Sequence, residues 1–237
     1  WSSSRGRGRK RVKEYIKTSS KRALSESRER FLHGKNVFIS EELPADIDID
    51  YVLKNIEETI PLHLMHLVDT IYVGSFPFLK EKDVNALYDE GALYVTNDQS
   101  DDDDMIDDIV HEIAHAVEDL FPGEIYADQE VENEFLGKRK RMCSMLNSEG
   151  HRVPNDLCIE VDYNKEFDTF LYKDVGYEKL VNITMGLFNS PYGATSLKEY
   201  FANGFEAYYI GDRIYLSKIS PYLYNKIENL DNLKDFI

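Results

Sequence analysis

The residues best suited to chemistry lie in one stretch, Asp107-Asp108-Ile109-Val110-His111-Glu112-Ile113-Ala114-His115-Ala116-Val117-Glu118, which contains H-E-x-x-H. On an α-helix, residues four apart share a face, one turn above the other. His111 and His115 can therefore each aim an imidazole nitrogen at one ion. Glu112, beside the first of them, can reach a water held there. This is the arrangement of zinc hydrolases: two His ligands, an acidic general base, and a metal that makes water nucleophilic near neutral pH. The expected cofactor is Zn2+. The competing reading is a pair of core histidines bonded to backbone, with Glu112 solvated. Ile109, Val110, Ile113, Ala114, Ala116 and Val117 make the helix apolar almost all round, and hence buried. Buried polar groups without partners are costly, which favours a shared ion.

A catalytic zinc site needs a third protein ligand and an open position. A second helix is predicted after Ser196, with Leu197, Phe201, Phe205 and Tyr208 on one side and Glu199, Asn203 and Glu206 on another. Ser196-Leu197-Lys198-Glu199 is also a capping box, in which Glu199 merely bonds the Ser196 amide. Glu206 is the alternative ligand and Glu118 a weaker one. His63 and His66, three apart on a helix predicted over 51–66, have no acidic or Cys partner nearby in sequence and read as ordinary partly buried histidines. The run Asp101 to Asp104 lacks the alternating spacing and Gly of a calcium loop. It reads as negative charge set against the dipole at the N-terminus of the first helix.

The H-E-x-x-H helix, followed by Tyr192-Gly193 and then Glu199-Tyr200-Phe201-Ala202, resembles the zinc peptidase domain of anthrax lethal factor and its relatives, which include the secreted bacterial Pro-Pro endopeptidases and many bacterial and phage proteins. The resemblance covers roughly residues 37–210 and is carried by these two motifs. It implies a gluzincin: His111, His115 and Glu199 as zinc ligands, Glu112 as general base, and Tyr192 as the active-site phenol that steadies the oxyanion. The implied fold is α+β and zincin-like, with a small mixed sheet whose edge strand lies over the H-E-x-x-H helix, and a C-terminal helical part. Gly91–Asp98 would be that edge strand, and Leu93, Tyr94 and Val95 would bind an extended peptide by β-augmentation. Position 203, where the family often carries a second acid behind the metal, is Asn203 here. From His115 to Glu199 is 84 positions, longer than in lethal factor, so residues 124–165 read as an insertion on the substrate side or a docking surface.

The elements that must position these groups follow from pattern. Val37–Ile39, Ile71–Gly74 and Gly91–Thr96 read as strands. Asp50 is expected to cap the helix over 51–66, with a kink at Pro61. Val84, Leu87 and Tyr88 suggest a turn of helix or a loop. Residues 124–150 read as polar helix, 151–165 as irregular, and 165–188 as helix broken at Gly176. No Gly-, Ser- or Pro-rich linker divides the body. The reading is one domain, 37–237, preceded by a basic arm, 1–36, with amphipathic helix expected from Val12 to about Phe31.

Charge and composition narrow the classes. Residues 1–30 carry a balance of +8 against −16 for the whole chain, which leaves −24 on the rest. So acidic a body is no general nucleic-acid binder; only residues 5–30 could touch nucleic acid, and a charged linker is the preferred reading of them. No apolar run approaches the eighteen or so residues of a membrane span, and no secretory signal is expected. Cys143 and Cys158 form no C-x-x-C pair. Free thiols in a reducing compartment are the favoured reading over one disulfide in a secreted chain. Trp1 in place of Met suggests a fragment or processed product, and a phage virion or bacterial origin fits. The expected activity is zinc-dependent hydrolysis of a peptide or protein substrate. The alternative of another class is a structural or docking component of a larger chain or assembly, a virion part or toxin module, that keeps the fold without a substrate. Hydrolysis of a non-peptide amide is a third option, disfavoured by the long strand.

Overall fold

In the computed structural model, residues 29–233 are described. Five strands, β1 (Glu29–Leu32), β2 (Lys35–Ile39), β3 (Thr70–Gly74), β4 (Ala86–Asp89) and β5 (Ala92–Thr96), form one sheet in the order β1-β2-β3-β5-β4. The three central strands are parallel, and each outer strand is antiparallel to its neighbour. Both antiparallel pairs close through two residues at positive φ, His33-Gly34 and Glu90-Gly91, the backbone that matches strand twist. Gly91 is required by more than conformation: a Cβ there would meet Asp69 Oδ2 at 2.8 Å.

Most of the chain is helical: α1 (Ile49–Thr59), α2 (Pro77–Lys82), α3 (Asp102–Leu120), α4 (Pro122–Tyr126), α5 (Glu130–Ser148), α6 (Lys165–Thr169), α7 (Tyr177–Thr184), α8 (Leu197–Tyr209), α9 (Arg213–Ile219) and α10 (Pro221–Asp231). Alternation along the strands turns Val37, Ile71, Val73, Leu93 and Val95 into the core. α3 packs against α1, α8 and strands β4 and β5, and so is buried on nearly every side, as its sequence predicts. Asp101 accepts from the Asp104 amide at 2.9 Å, and three aspartates fill the first turn of α3, opposing the helix dipole. Among the described residues no helix is long and apolar enough to cross a membrane.

Several expectations are corrected. Residues 29–36, assigned to the arm, build β1, its turn and the start of β2; the rest of the expected amphipathic helix lies outside the described residues. The cap of α1 is Asp48, whose side chain accepts from the Asp50 and Tyr51 amides. Pro61 ends α1 rather than kinking it, because the residue before a proline is driven out of the helical region; Ile60 is extended, at φ −95° and ψ 121°. His63 and His66 thus leave the helix, and His63 Nε2 bonds the Leu230 carbonyl at 2.8 Å. The segment read as a helical turn or loop around Leu87 and Tyr88 is strand β4. Cys143 and Cys158 are joined in a disulfide, with Cα atoms 6.2 Å apart, where free thiols are the expectation from sequence.

α8 and α10 approach so closely at Gly204 that a Cβ there would lie 2.3 Å from Leu223 Cδ2. In an unconstrained helix Ala would be favoured over Gly by about 1 kcal/mol. Here overpacking outweighs that preference. Gly204→Ala is expected to lower stability by about 1–3 kcal/mol in chemical denaturation, with part recovered on adding Leu223→Ala. A Gly204→Ala chain as stable as the parent would contradict this packing.

Candidate metal centre

Two helices supply the centre. α3 presents His111, Glu112 and His115, each offering one ligand atom within 4.8 Å of the others. α8 brings Glu199 across: its Oε2 lies 3.0 Å from His111 Nε2 and its Oε1 lies 3.8 Å from His115 Nε2. The two imidazole rings are 4.9 Å apart, nearly edge to face. One carboxylate therefore meets both imidazoles, although 88 positions separate Glu199 from His111.

Local structure explains how Glu199 arrives there. Ser196 caps α8, its hydroxyl accepting from the Glu199 amide at 3.2 Å. The capping box is only half formed, since the Glu199 carboxylate turns to the imidazoles and not back to Ser196. Ahead of it, Tyr192–Ala194 form a single 3-10 turn, held by the Thr195 hydroxyl and amide, which both donate to the Tyr192 carbonyl, at 2.7 and 2.9 Å. Gly193 lies against Asn203; a Cβ would meet Asn203 Oδ1 at 2.9 Å. The Tyr192 ring, half-exposed, stands 5.9 Å from that of His111.

The far nitrogens of both imidazoles face carboxylates. Glu206 Oε1 is 2.5 Å from His111 Nδ1, and Glu118 Oε2 is 3.7 Å from His115 Nδ1. Tyr126 donates to the other Glu118 oxygen at 2.5 Å, while Glu118 Oε2 is buried with no hydrogen-bond partner. Carboxylates behind ligand imidazoles fix the tautomer and turn the free Nε2 lone pair toward an ion. Glu206, considered from sequence as a substitute ligand, has this supporting place, whereas Glu118 stands near His115 without a hydrogen bond to it. Asn203 stands behind Glu206: its amide donates to Glu206 Oε2 at 3.3 Å, and its carbonyl oxygen accepts from Ser190. The acid expected four positions after Glu199 is thus supplied seven positions after it, two helical turns along the same face.

Charge makes the same demand. Burial alone would lower the His111 pKa, but the hydrogen bonds and charges of Glu199 and Glu206 lift it to about 10. Burial pushes Glu199 up, yet His111, His115 and the Tyr192 side chain together hold it below its ordinary value. Burial raises Glu112 against the pull of both histidines and the Tyr88 amide. Loss of solvent and the nearby Glu199 raise the Tyr192 phenol, which keeps its proton and so has a hydrogen bond to donate. Asp107 is pushed up to about 6 by burial, then by Glu206 and Asp108. Among the described residues no Lys or Arg pairs with Glu112, Glu199 or Glu206. Two imidazoles and a carboxylate converge with surplus negative charge and no Lys or Arg paired to them among the described residues, a donor set that could hold a divalent metal ion.

The strand beside the centre is β4, not the one expected. β5 is paired on both sides, to β3 and β4, and Leu93 and Val95 are fully buried in the core. Tyr94 points to the opposite sheet face and stacks on Tyr72 at 5.3 Å. The three residues assigned to peptide binding are therefore unavailable for it. β4 is the outer strand on the side of the centre, and its Tyr88 amide donates to Glu112 Oε2 at 2.5 Å. A cavity of about 370 Å³ joins the approach to β4, at Asp83, Asn85 and Ala86, to His111, Glu112 and Tyr192.

No protein-family model, curated protein or solved structure matches the chain.

If Glu206 orients His111, Glu206→Gln should weaken zinc binding about 10- to 100-fold with the far-ultraviolet circular dichroism unchanged. Competition against a chromophoric chelator measures this. Unchanged affinity would remove Glu206 from the centre.

Proposed function

We propose that this chain is a zinc-dependent endopeptidase of the gluzincin type, with a zincin-like fold related to the lethal factor peptidase domain. The observation that carries the reading is the meeting of Glu199, from α8, with both imidazoles of the H-E-x-x-H helix. His111, His115 and Glu199 would hold the ion. Zinc bound there supplies Lewis acidity, which makes water nucleophilic near neutral pH and polarises a carbonyl.

The chain's own groups do the rest. Glu112, whose basicity is increased by burial, accepts a proton from the attacking water. It passes that proton to the amine nitrogen as the C–N bond breaks, so the products are a carboxylate and an amine. The Tyr88 amide fixes one oxygen of Glu112 and leaves the other for water. Tyr192, protonated and adjacent, donates to the carbonyl oxygen as it gains negative charge. The outer edge of β4 would accept the substrate as an added strand through main-chain groups other than the Tyr88 amide, which Glu112 occupies. Glu206 keeps the His111 imidazole aimed, and Glu118 adds negative charge beside His115.

The test combines metal content with cleavage. Protein purified without chelator should hold one zinc per chain and cleave members of a peptide library, and chelation followed by zinc should remove and restore cleavage. Glu112→Gln should retain zinc and lose about 10²- to 10⁴-fold in rate. Full activity in Glu112→Gln would overturn the base assignment, and absence of zinc would overturn the centre. Zinc without cleavage of any library member would instead favour the docking component that retains the fold.

A further inference from the structure

Arg139 is the largest fully buried side chain of the described residues. It has no carboxylate partner within pairing distance. Its guanidinium instead binds three main-chain carbonyls: Leu157 at 3.0 Å, Glu160 at 3.3 Å and Thr195 at 3.2 Å. It also lies over the Phe167 ring at 4.2 Å. Two of those carbonyls belong to the irregular segment after α5. The third immediately precedes Ser196, the cap of the helix that carries Glu199, and Thr195 itself holds Tyr192 by two bonds to its carbonyl. A direct bond runs the same way: the Leu197 amide, at the start of α8, donates to the Val161 carbonyl at 2.8 Å. The segment 157–161 is therefore the seat on which the Tyr192 turn and the start of α8 rest.

That segment is short of regular structure, and one covalent tie fastens it. Cys158 is bonded to Cys143, which stands one turn beyond Arg139 on the same face of α5. The disulfide and the guanidinium clamp the same stretch from the same helix. Opening the bond releases one side of the cage around a buried charge, whose acceptors at Leu157 and Glu160 lie in the loop and can then drift toward water. The sulfurs border a cavity of about 630 Å³ lined by Lys140, Ser144, Asn147 and Asn155, through which a small thiol can approach.

We propose that the Cys143–Cys158 disulfide is a redox-sensitive latch on the metal centre: closed, it holds Glu199 and Tyr192 against α3, and its reduction by a dithiol loosens them and weakens zinc binding. In the step itself, one thiolate of the dithiol attacks a cysteine sulfur, the S–S bond breaks, and the other cysteine leaves as a thiolate. The second thiol then closes on the mixed disulfide. The reductant ends as a disulfide, two electrons pass to the chain, and both cysteines become thiols. The inference rests on the metal-centre reading above, and Arg139 acts in it as a positioning residue.

The test measures zinc affinity by chelator competition in three states: oxidised, reduced with a dithiol and blocked by alkylation, and Cys143→Ser/Cys158→Ser. Far-ultraviolet circular dichroism is recorded for each. Binding about 10-fold weaker or more in the reduced and doubly substituted chains, with helical signal retained, and recovery on reoxidation of unblocked reduced protein, is the expected result. A difference under about threefold overturns the latch. Loss of the helical signal on reduction also overturns it, because the bond would then staple the whole domain. Zinc binding in no state, oxidised included, removes the metal centre itself, an outcome distinct from failure of the latch. Arg139→Lys in the oxidised chain should reproduce most of the weakening, since lysine cannot serve three carbonyls in that planar arrangement.

Discussion

One carboxylate facing two imidazoles is the constraint around which this fold is arranged. Glu199 is mostly withdrawn from solvent and sits close to His111 and His115, a grouping that is unfavourable unless a positive charge joins it. Nothing else in the centre supplies that charge except a proton on His111 or a bound cation. The two helices concerned come from distant parts of the chain, and their contact is the most extensive between helices in the structure. The apolar faces of α3 and α8 pack the helices together; the polar groups left between them then have only one another.

The surrounding layers limit how those groups can relax. The sheet buries one side of α3, and its outer strand β4 fixes Glu112 through a main-chain amide. Behind the imidazoles stand Glu206 and Glu118, themselves held by Asn203 and Tyr126. On the side away from the sheet, the Tyr192 turn and the cap of α8 rest on a loop fastened by Arg139 and a disulfide. Each supporting group touches a ligand or a neighbour of one, so distant parts of the chain bear on the same few atoms.

Much of this was legible in the sequence, for reasons that are physical. The four-residue spacing of His111 and His115 on an apolar run could mean little other than a buried helix with two imidazoles on one face. Ser196 before an amphipathic run marked the start of α8. The strands rich in Val, Ile and Tyr were visible for their side-chain types. β4 was not, because Ala-Leu-Tyr-Asp is short, holds no β-branched residue and gains its stability from pairing with β5. Hidden with it was the identity of the sheet edge, since which strand lies outermost is a matter of long-range pairing. Glu206 carried a signal, two turns from Glu199 on one face, yet ligand and supporting carboxylate look alike until the distance between helices is known. The cysteine pairing also stayed hidden, because it depends on a loop drawn back over α5 by a guanidinium that binds backbone and leaves no pattern in the side chains.

The proposed centre requires one divalent ion to join α3 to α8. Anomalous diffraction across the zinc absorption edge, on crystals grown from protein never exposed to chelator, tests it most directly. A single peak is expected about 2.0–2.2 Å from Nε2 of His111, Nε2 of His115 and a carboxylate oxygen of Glu199. No peak at that position, or a peak there with Glu199 turned away from both imidazoles, would contradict it.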